Sequence, residues 1–416
     1  MHPQPLSFLL FSLIFCCALS VTTAGCTKTI KPPDNSPGTT DSTISSPPTT
    51  TVVDSAVMVY VGRSESLYAV DGRTGKKKWS VYLGDIIFTS PLYYQDMIYV
   101  VAGYTKNPTL YAFDENGKQQ WTVTLDNNHL GIGFQQLIAA NGLVYATTEF
   151  TTVTAYDAKS GAQRWVFRPS GYNDVMTGYA GGYITMDRGA LFYVSSGYAT
   201  YNIDPVTGEE IWRIEHRTNL LPTFTGDKVI LAEDMGIVEA FNRYSGTLVW
   251  QRKSKQSIEA YRAHSINVGL GNVFVIQNNS TAGDLIEVLD TASGAFKYNF
   301  NVNFILGGSG PYNLGISPYI IDSSLYLLQY LGIREYNPFN GQDLSGLPMN
   351  IQGYVLDGFT PVNNMVYYNA DRLYATDRIK HSVVWSIVLE DNDGWSYSIP
   401  CVVTKSGKVY QSGHVF

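Results

Sequence analysis

Charge is scarce in this 416-residue chain: only 15% of residues are Asp, Glu, Lys or Arg, and 28 basic residues face 35 acidic ones, for a formal charge of −7. Without a basic excess the chain has no general attraction to phosphate backbones, which argues against nucleic acid as a partner. Cysteine is scarce too, at four residues. No apolar run reaches the roughly 18–20 residues that a membrane-crossing helix requires. The five histidines beyond His2 (His129, His216, His264, His381 and His414) show no metal-ligand spacing, and no G-x-S-x-G elbow or comparable nucleophile setting occurs. What the chain does have is a globular apolar share of 44%, with 38 Gly and 30 Tyr, a mixture that favours strands and turns over long solvated helices. Length alone allows two or three domains.

The run Phe8–Leu19 is short for a membrane span and has the length of a secretory h-region. It is followed by Thr22-Thr23-Ala24-Gly25-Cys26. Small residues leading to a cysteine resemble the lipobox of bacterial lipoproteins, with Thr23 where an aliphatic residue is usual. The reading is a leader over 1–25 and lipidation at Cys26; plain secretion with cleavage after Ala24 is the alternative. By the same analogy, Thr27 rather than Asp after the cysteine favours the outer membrane. Thr27–Asp54 holds eight Thr, four Ser and five Pro in 28 residues, too little apolar surface to offset ordering, so 26–54 reads as a lipidated tether. Cys16 and Cys17 would leave with the leader, so Cys401 would have no disulfide partner within the chain.

From residue 55 onward one motif recurs eight times. It opens on Asp71, Asp114, Asp157, Asp204, Asn242, Asp290, Asn337 and Asp377, separated by 43, 43, 47, 38, 48, 47 and 40 residues. That period is the length of a four-stranded propeller blade. An Asp or Asn side chain can accept bonds from backbone N–H groups just ahead of it and shape a turn. A glycine three or four residues later (Gly75, Gly117, Gly161, Gly208, Gly246 and Gly294) supplies the positive φ that closes it. Trp79, Trp121, Trp165, Trp212, Trp250 and Trp385 follow on the next strand, placed to bury a ring against the neighbouring blade rather than to form a substrate platform. A copy ending at Tyr298 and a degenerate copy from Ile333 complete the set.

The expected fold is therefore all-β: an eight-bladed β-propeller of four-stranded antiparallel blades over 55–416. Its body opens at Val57 with the later strands of a blade and finishes after Pro400 with the earlier ones, so both ends should join in one closing blade without exposed edges. One strand of that blade is offered twice, by Val57–Val61 and by Lys408–Ser412.

The pattern Ala-x-Asp-x-x-Thr-Gly-x-x-x-Trp at Ala69–Trp79 resembles the tryptophan-docking repeat of the pyrroloquinoline-quinone (PQQ) family of eight-bladed propellers. Two branches of that family set the functional expectations. Quinoprotein dehydrogenases imply a quinone, a Ca²⁺ and a carboxylate base in the central channel. No residues here match those catalytic positions, and the one adjacent cysteine pair lies in the leader. The propeller lipoprotein of the outer-membrane β-barrel assembly machine matches better in length and tether, and implies a monomeric, non-catalytic scaffold without cofactor or metal. It would dock protein partners by one loop face and the membrane by lipid on Cys26.

Connections from one blade's last strand to the next blade's first share a face and are the expected binding surface: Asp126–Phe134, Arg168–Gly182, Arg252–Asn267, Asn299–Gly315 and Leu389–Tyr397. Arg252, Lys253, Lys255 and Arg262 read as the only basic concentration, suited to an acidic partner or simply solvated. Glu390–Gly394 carries oxygen ligands but lacks the rest of a Ca²⁺ loop. Gly307–Gly310 lacks the lysine and helix of a phosphate loop. Tyr172, Tyr179, Tyr312, Tyr354 and Trp395 are candidate anchors in these loops for stacking on a partner peptide or, in the alternative of a PQQ- or carbohydrate-binding propeller, on sugars, in a chain rich enough in Tyr for chance placement.

Overall fold

The computed structural model describes residues 54–415 apart from 104–106, 126–135, 149–151, 170–181, 196–197, 217, 219, 234–235, 254–262, 278–283, 303–317, 330–331, 346–348, 351–357, 390–397 and 412–413. The described residues form eight antiparallel sheets arranged as the blades of a propeller, and no helix. Blades I to VII each run in sequence order from the inner to the outer strand. Blade I, for instance, is Leu92–Tyr94, Met97–Ala102, Thr109–Asp114 and Gln119–Thr124. Blades II to VII begin at Leu137, Gly182, Thr223, Ala263, Tyr319 and Phe359.

The closing blade, VIII, takes its inner strand Cys401–Thr404 from the end of the chain and its outer three, Ala56–Arg63, Ser66–Asp71 and Lys77–Tyr82, from the start. Ala56–Arg63 pairs with Cys401–Thr404, so the N-terminal copy of the duplicated strand is the one used. Val409–Gln411 instead pairs along the other edge of Cys401–Thr404 and carries His414–Val415 beyond it, making a six-stranded sheet. That edge faces inward, and Val409–Gln411 packs against the inner strands of blades I and VII.

The core is divided into eight buried clusters, one in each seam between neighbouring blades. The alternation of a strand explains this: Tyr68 and Val70 point back to blade VII, whereas Leu67 and Ala69 point on to blade I. Two expected connections shorten, because strands run on to Lys253 and Val302 and one resumes at Ala263, pairing with Asn272–Gln277 through a register shift between Ala263 and Ser265.

Candidate functional site

Each blade's last hairpin is built around its acidic or amide anchor. Asp157 Oδ1 accepts Lys159 N at 3.1 Å, Ser160 N at 3.0 Å and Ser160 Oγ at 2.9 Å. The same arrangement recurs at Asp71, Asp204, Asn242, Asp290 and Asp377, and with Asn116 N and Lys118 N at Asp114. After the turn, a β-bulge at one fixed place in seven hairpins inserts an extra residue just before the tryptophan position.

The bulged residue is a partner the sequence reading missed. Lys78, Gln120, Arg164 and Lys297 reach back to the second oxygen of Asp71, Asp114, Asp157 and Asp290 at 3.3, 3.0, 2.5 and 3.1 Å. Where it is Val249, the anchor is the uncharged Asn242; where it is Val384, Lys380 takes the role at 3.5 Å from Asp377. These bonds hold the Asp157 carboxyl at about 2, first through Arg164, and Asp290 at about 2, first through Ser293. For Asp71, burial acts upward but is outweighed by bonds from Thr74, Arg73 and Lys78.

Each tryptophan then crosses a seam. Trp79, Trp121, Trp165, Trp212, Trp250 and Trp385 lie against Gly117, Gly161, Gly208, Gly246, Gly294 and Gly75 of the next blade's turn. Their Nε1 groups donate to backbone carbonyls of Glu115, Ala158, Pro205, Arg243, Thr291 and Gly72 in those turns, at 2.8–3.2 Å. A second donor often shares the carbonyl: Tyr99 and Tyr145 hydroxyls at 3.0 Å on Ala158 and Pro205, and Asn202 on Arg243 where Phe192 replaces the tyrosine. At seam V–VI, Tyr298 donates to the Pro338 carbonyl and Phe300 faces Gly341.

Among the described residues seam VI–VII has no such ring, and the seventh turn has no glycine; His381 takes the positive φ of 52° instead. Arg378 holds this seam, donating to the Asp322 carboxylate, to Tyr326 Oη at 2.8 Å and to the Asn363 carbonyl at 2.9 Å. Arg243 occupies the equivalent place after Asn242 and binds Asp187 across seam III–IV.

Most of the expected loop surface lies outside the described residues: Tyr172, Tyr179, Tyr312, Tyr354, Trp395, Lys255 and Arg262, the Glu390–Gly394 and Gly307–Gly310 runs, and Cys26 with the tether before Asp54. Arg252 is described. It pairs with the buried Glu287 at 2.8 Å and lies over the Phe296 ring, so it serves seam IV–V rather than a free basic patch. The run is also not the only basic concentration, since Arg73, Lys76, Lys77 and Lys78 are exposed on the closing blade's hairpin and Lys405 and Lys408 on its first turn.

Among the described residues no three His, Cys, Asp or Glu side chains converge as a metal ion requires. On the channel side of the closing blade, Gln411 Oε1 accepts Tyr93 N at 2.9 Å and the Cys401 thiol at 3.3 Å, so an added strand occupies that rim. Burial raises the Cys401 thiol to about 12, which leaves it protonated and inert.

Fold and seams together define an eight-bladed propeller of the PQQ-like class. The profile of the family described as outer membrane protein assembly factor BamB matches residues 30–165 and 106–300, and the chain belongs to that family. The BamB of Burkholderia pseudomallei is 26% identical over 210 residues, a match spanning 47% of this chain and only about half, 52%, of that protein. In fold, the chain is similar to BamB from Moraxella catarrhalis (TM-score 0.51, 21% identity, 67% of this chain and 80% of that one). It is also similar to the quinohemoprotein alcohol dehydrogenase of Comamonas testosteroni (TM-score 0.55, 13% identity, 86% and 73%).

Proposed function

We propose that the protein is a non-catalytic scaffold of the cell envelope that binds protein partners in outer-membrane protein assembly. The observation that carries this reading is the BamB family match over residues 30–165 and 106–300. The architecture supports it: the anchors, glycines and tryptophans of the described repeats are engaged in turns and seams, which makes the ring a rigid frame for the connections between blades. In this reading 1–25 is a leader, Cys26 carries the lipid, 26–54 is the tether and 55–416 is a monomeric body whose loop face meets the partner.

Crosslinking and pulldown from cells should recover a component of the outer-membrane assembly machinery, and recovery of none would overturn the assembly role. Cys26→Ser should move the protein from the membrane to the soluble envelope fraction. Alcohol- or sugar-dependent dye reduction after addition of PQQ and Ca²⁺ would replace the scaffold with an enzyme.

A further inference from the structure

We propose that the turn-bearing face of the ring, opposite the loop face, rests on the surface of an anionic phospholipid bilayer. Antiparallel order places the first-to-second-strand turns and the third-to-fourth-strand hairpins of every blade on this one side. The residue two beyond each anchor is the hairpin tip. In blades III, IV, VI and VII the tips are Val206, Tyr244, Phe339 and Ile379, which are 56–70% exposed. In blade V the tip is Ala292, and Leu270 is exposed on that blade's other turn. The other tips, Arg73, Asn116 and Lys159, are polar. Turn chemistry does not demand apolar tips, since Asp157 accepts the same backbone bonds with Lys159 there as Asn242 does with Tyr244. Nor do the four large side chains serve the core.

Single exposed apolar residues are ordinary. Four at one repeat position, on separate blades and on one face, form a spaced array rather than a groove. A flat bilayer can meet them all, with Tyr and Phe suited to the headgroup level. The cations complete the match. The closing blade's two turns carry Arg73, Lys76, Lys77, Lys78, Lys405 and Lys408, and their two carboxylates are engaged. Asp71 caps its own turn and pairs with Lys78, and Asp54 accepts from Thr404 Oγ1 at 2.7 Å and Ser406 N at 2.9 Å. Such a cluster attracts anionic headgroups. The described chain also begins here: Asp54, preceded by 53 residues, is fixed to this face, its carbonyl accepting Asn363 Nδ2 at 2.6 Å.

The test floats the full chain carrying Cys26→Ser, with no acyl chain to hold it, on vesicles of phosphatidylcholine with phosphatidylglycerol and of phosphatidylcholine alone. Binding should favour the anionic vesicles, fall about a hundredfold in K76E/K405E, and fall about tenfold in V206S/Y244S/F339S/I379S. Thermal unfolding of both variants should match the parent, because every changed side chain is exposed. In F339W, brominated lipid chains should quench the added emission, and in Y198W on the loop side they should not. Vesicle binding indifferent to both variant sets would trace it to the Phe8–Leu19 run, and equal quenching at the two positions would remove the orientation; either overturns the proposal. A crosslinked acidic protein on this face, without vesicle binding, would assign it to a protein instead. A failed pulldown in the assembly test leaves this result standing, and the reverse holds as well.

Discussion

At Gly161 two demands meet. Its φ is +72°, and a Cβ there would lie 2.7 Å from Trp121 Cε3. Gly142 has nearly the same φ, +75°, with nothing within 4 Å of the position a Cβ would take. Gly142→Ala should therefore cost about 1 kcal/mol for the left-handed backbone alone, and Gly161→Ala about 2–4 kcal/mol, compared by urea unfolding. His216 offers a second measurement at this scale. Burial lowers its imidazole to about 4, while Nε2 lies 2.6 Å from Thr200 Oγ1. The unfolded chain, with a pKa of about 6.5, then binds the extra proton first. Stability from this group should be complete above about pH 6.5 and be lost as pH falls toward 4. In His216→Gln that slope should vanish from the urea midpoints, while the fall between about 4 and 2 owed to Asp157 and Asp290 remains.

The hairpin is the element that the residues announce most clearly. Anchor, glycine and tryptophan are tied together by chemistry within a dozen residues, so their spacing alone discloses the blade count and the closing of the ring. The bulged residue was legible too, since Lys78, Gln120, Arg164 and Lys297 precede an aromatic, but its meaning needs the register in which that residue faces its own anchor. The place of Val409–Gln411 was not legible: both copies of the duplicated strand have strand character, and only competition for the edges of Cys401–Thr404 decides between them. The loop face left least to read, because loop residues answer to a partner rather than to a repeat. Within seam I–II, Trp121 and Tyr99 donate to one carbonyl, that of Ala158. Trp121→Phe and Tyr99→Phe should each cost about 1 kcal/mol and the double variant clearly more than their sum, since only then does a buried acceptor lose both partners.

For the whole molecule, closure depends on joining the first described residues to the last strands. Asp54 fastens to Thr404 and Ser406, and Cys401 lies fully buried at the other end of the same strand, opposite Tyr60. Reaction of the Cys401 thiol with a soluble disulfide reagent should thus report opening of the closing blade. Asp54→Ala should speed it several-fold while the far-ultraviolet circular dichroism is unchanged, and an unchanged rate would mean the fastening is idle. In the adjoining blade VII, Arg378→Ala should cost about 3 kcal/mol, and Arg378→Lys should recover little, because one ammonium cannot replace a guanidinium that serves Asp322, Tyr326 and Asn363 together.

Seam VI–VII also gives the ring a fault line. Six joints close by a tryptophan ring on glycine, and apolar contact of that kind tightens in strongly excluded salts such as sulfate. The Arg378 joint depends on a carboxylate, Asp322, whose side chain is 73% exposed, and an ion pair so open to solvent is screened as salt rises. Added salt thus weakens the ion pair on which this joint depends while the apolar contacts of every seam tighten. A ring that otherwise repeats itself acquires a preferred place to part, between its sixth and seventh blades.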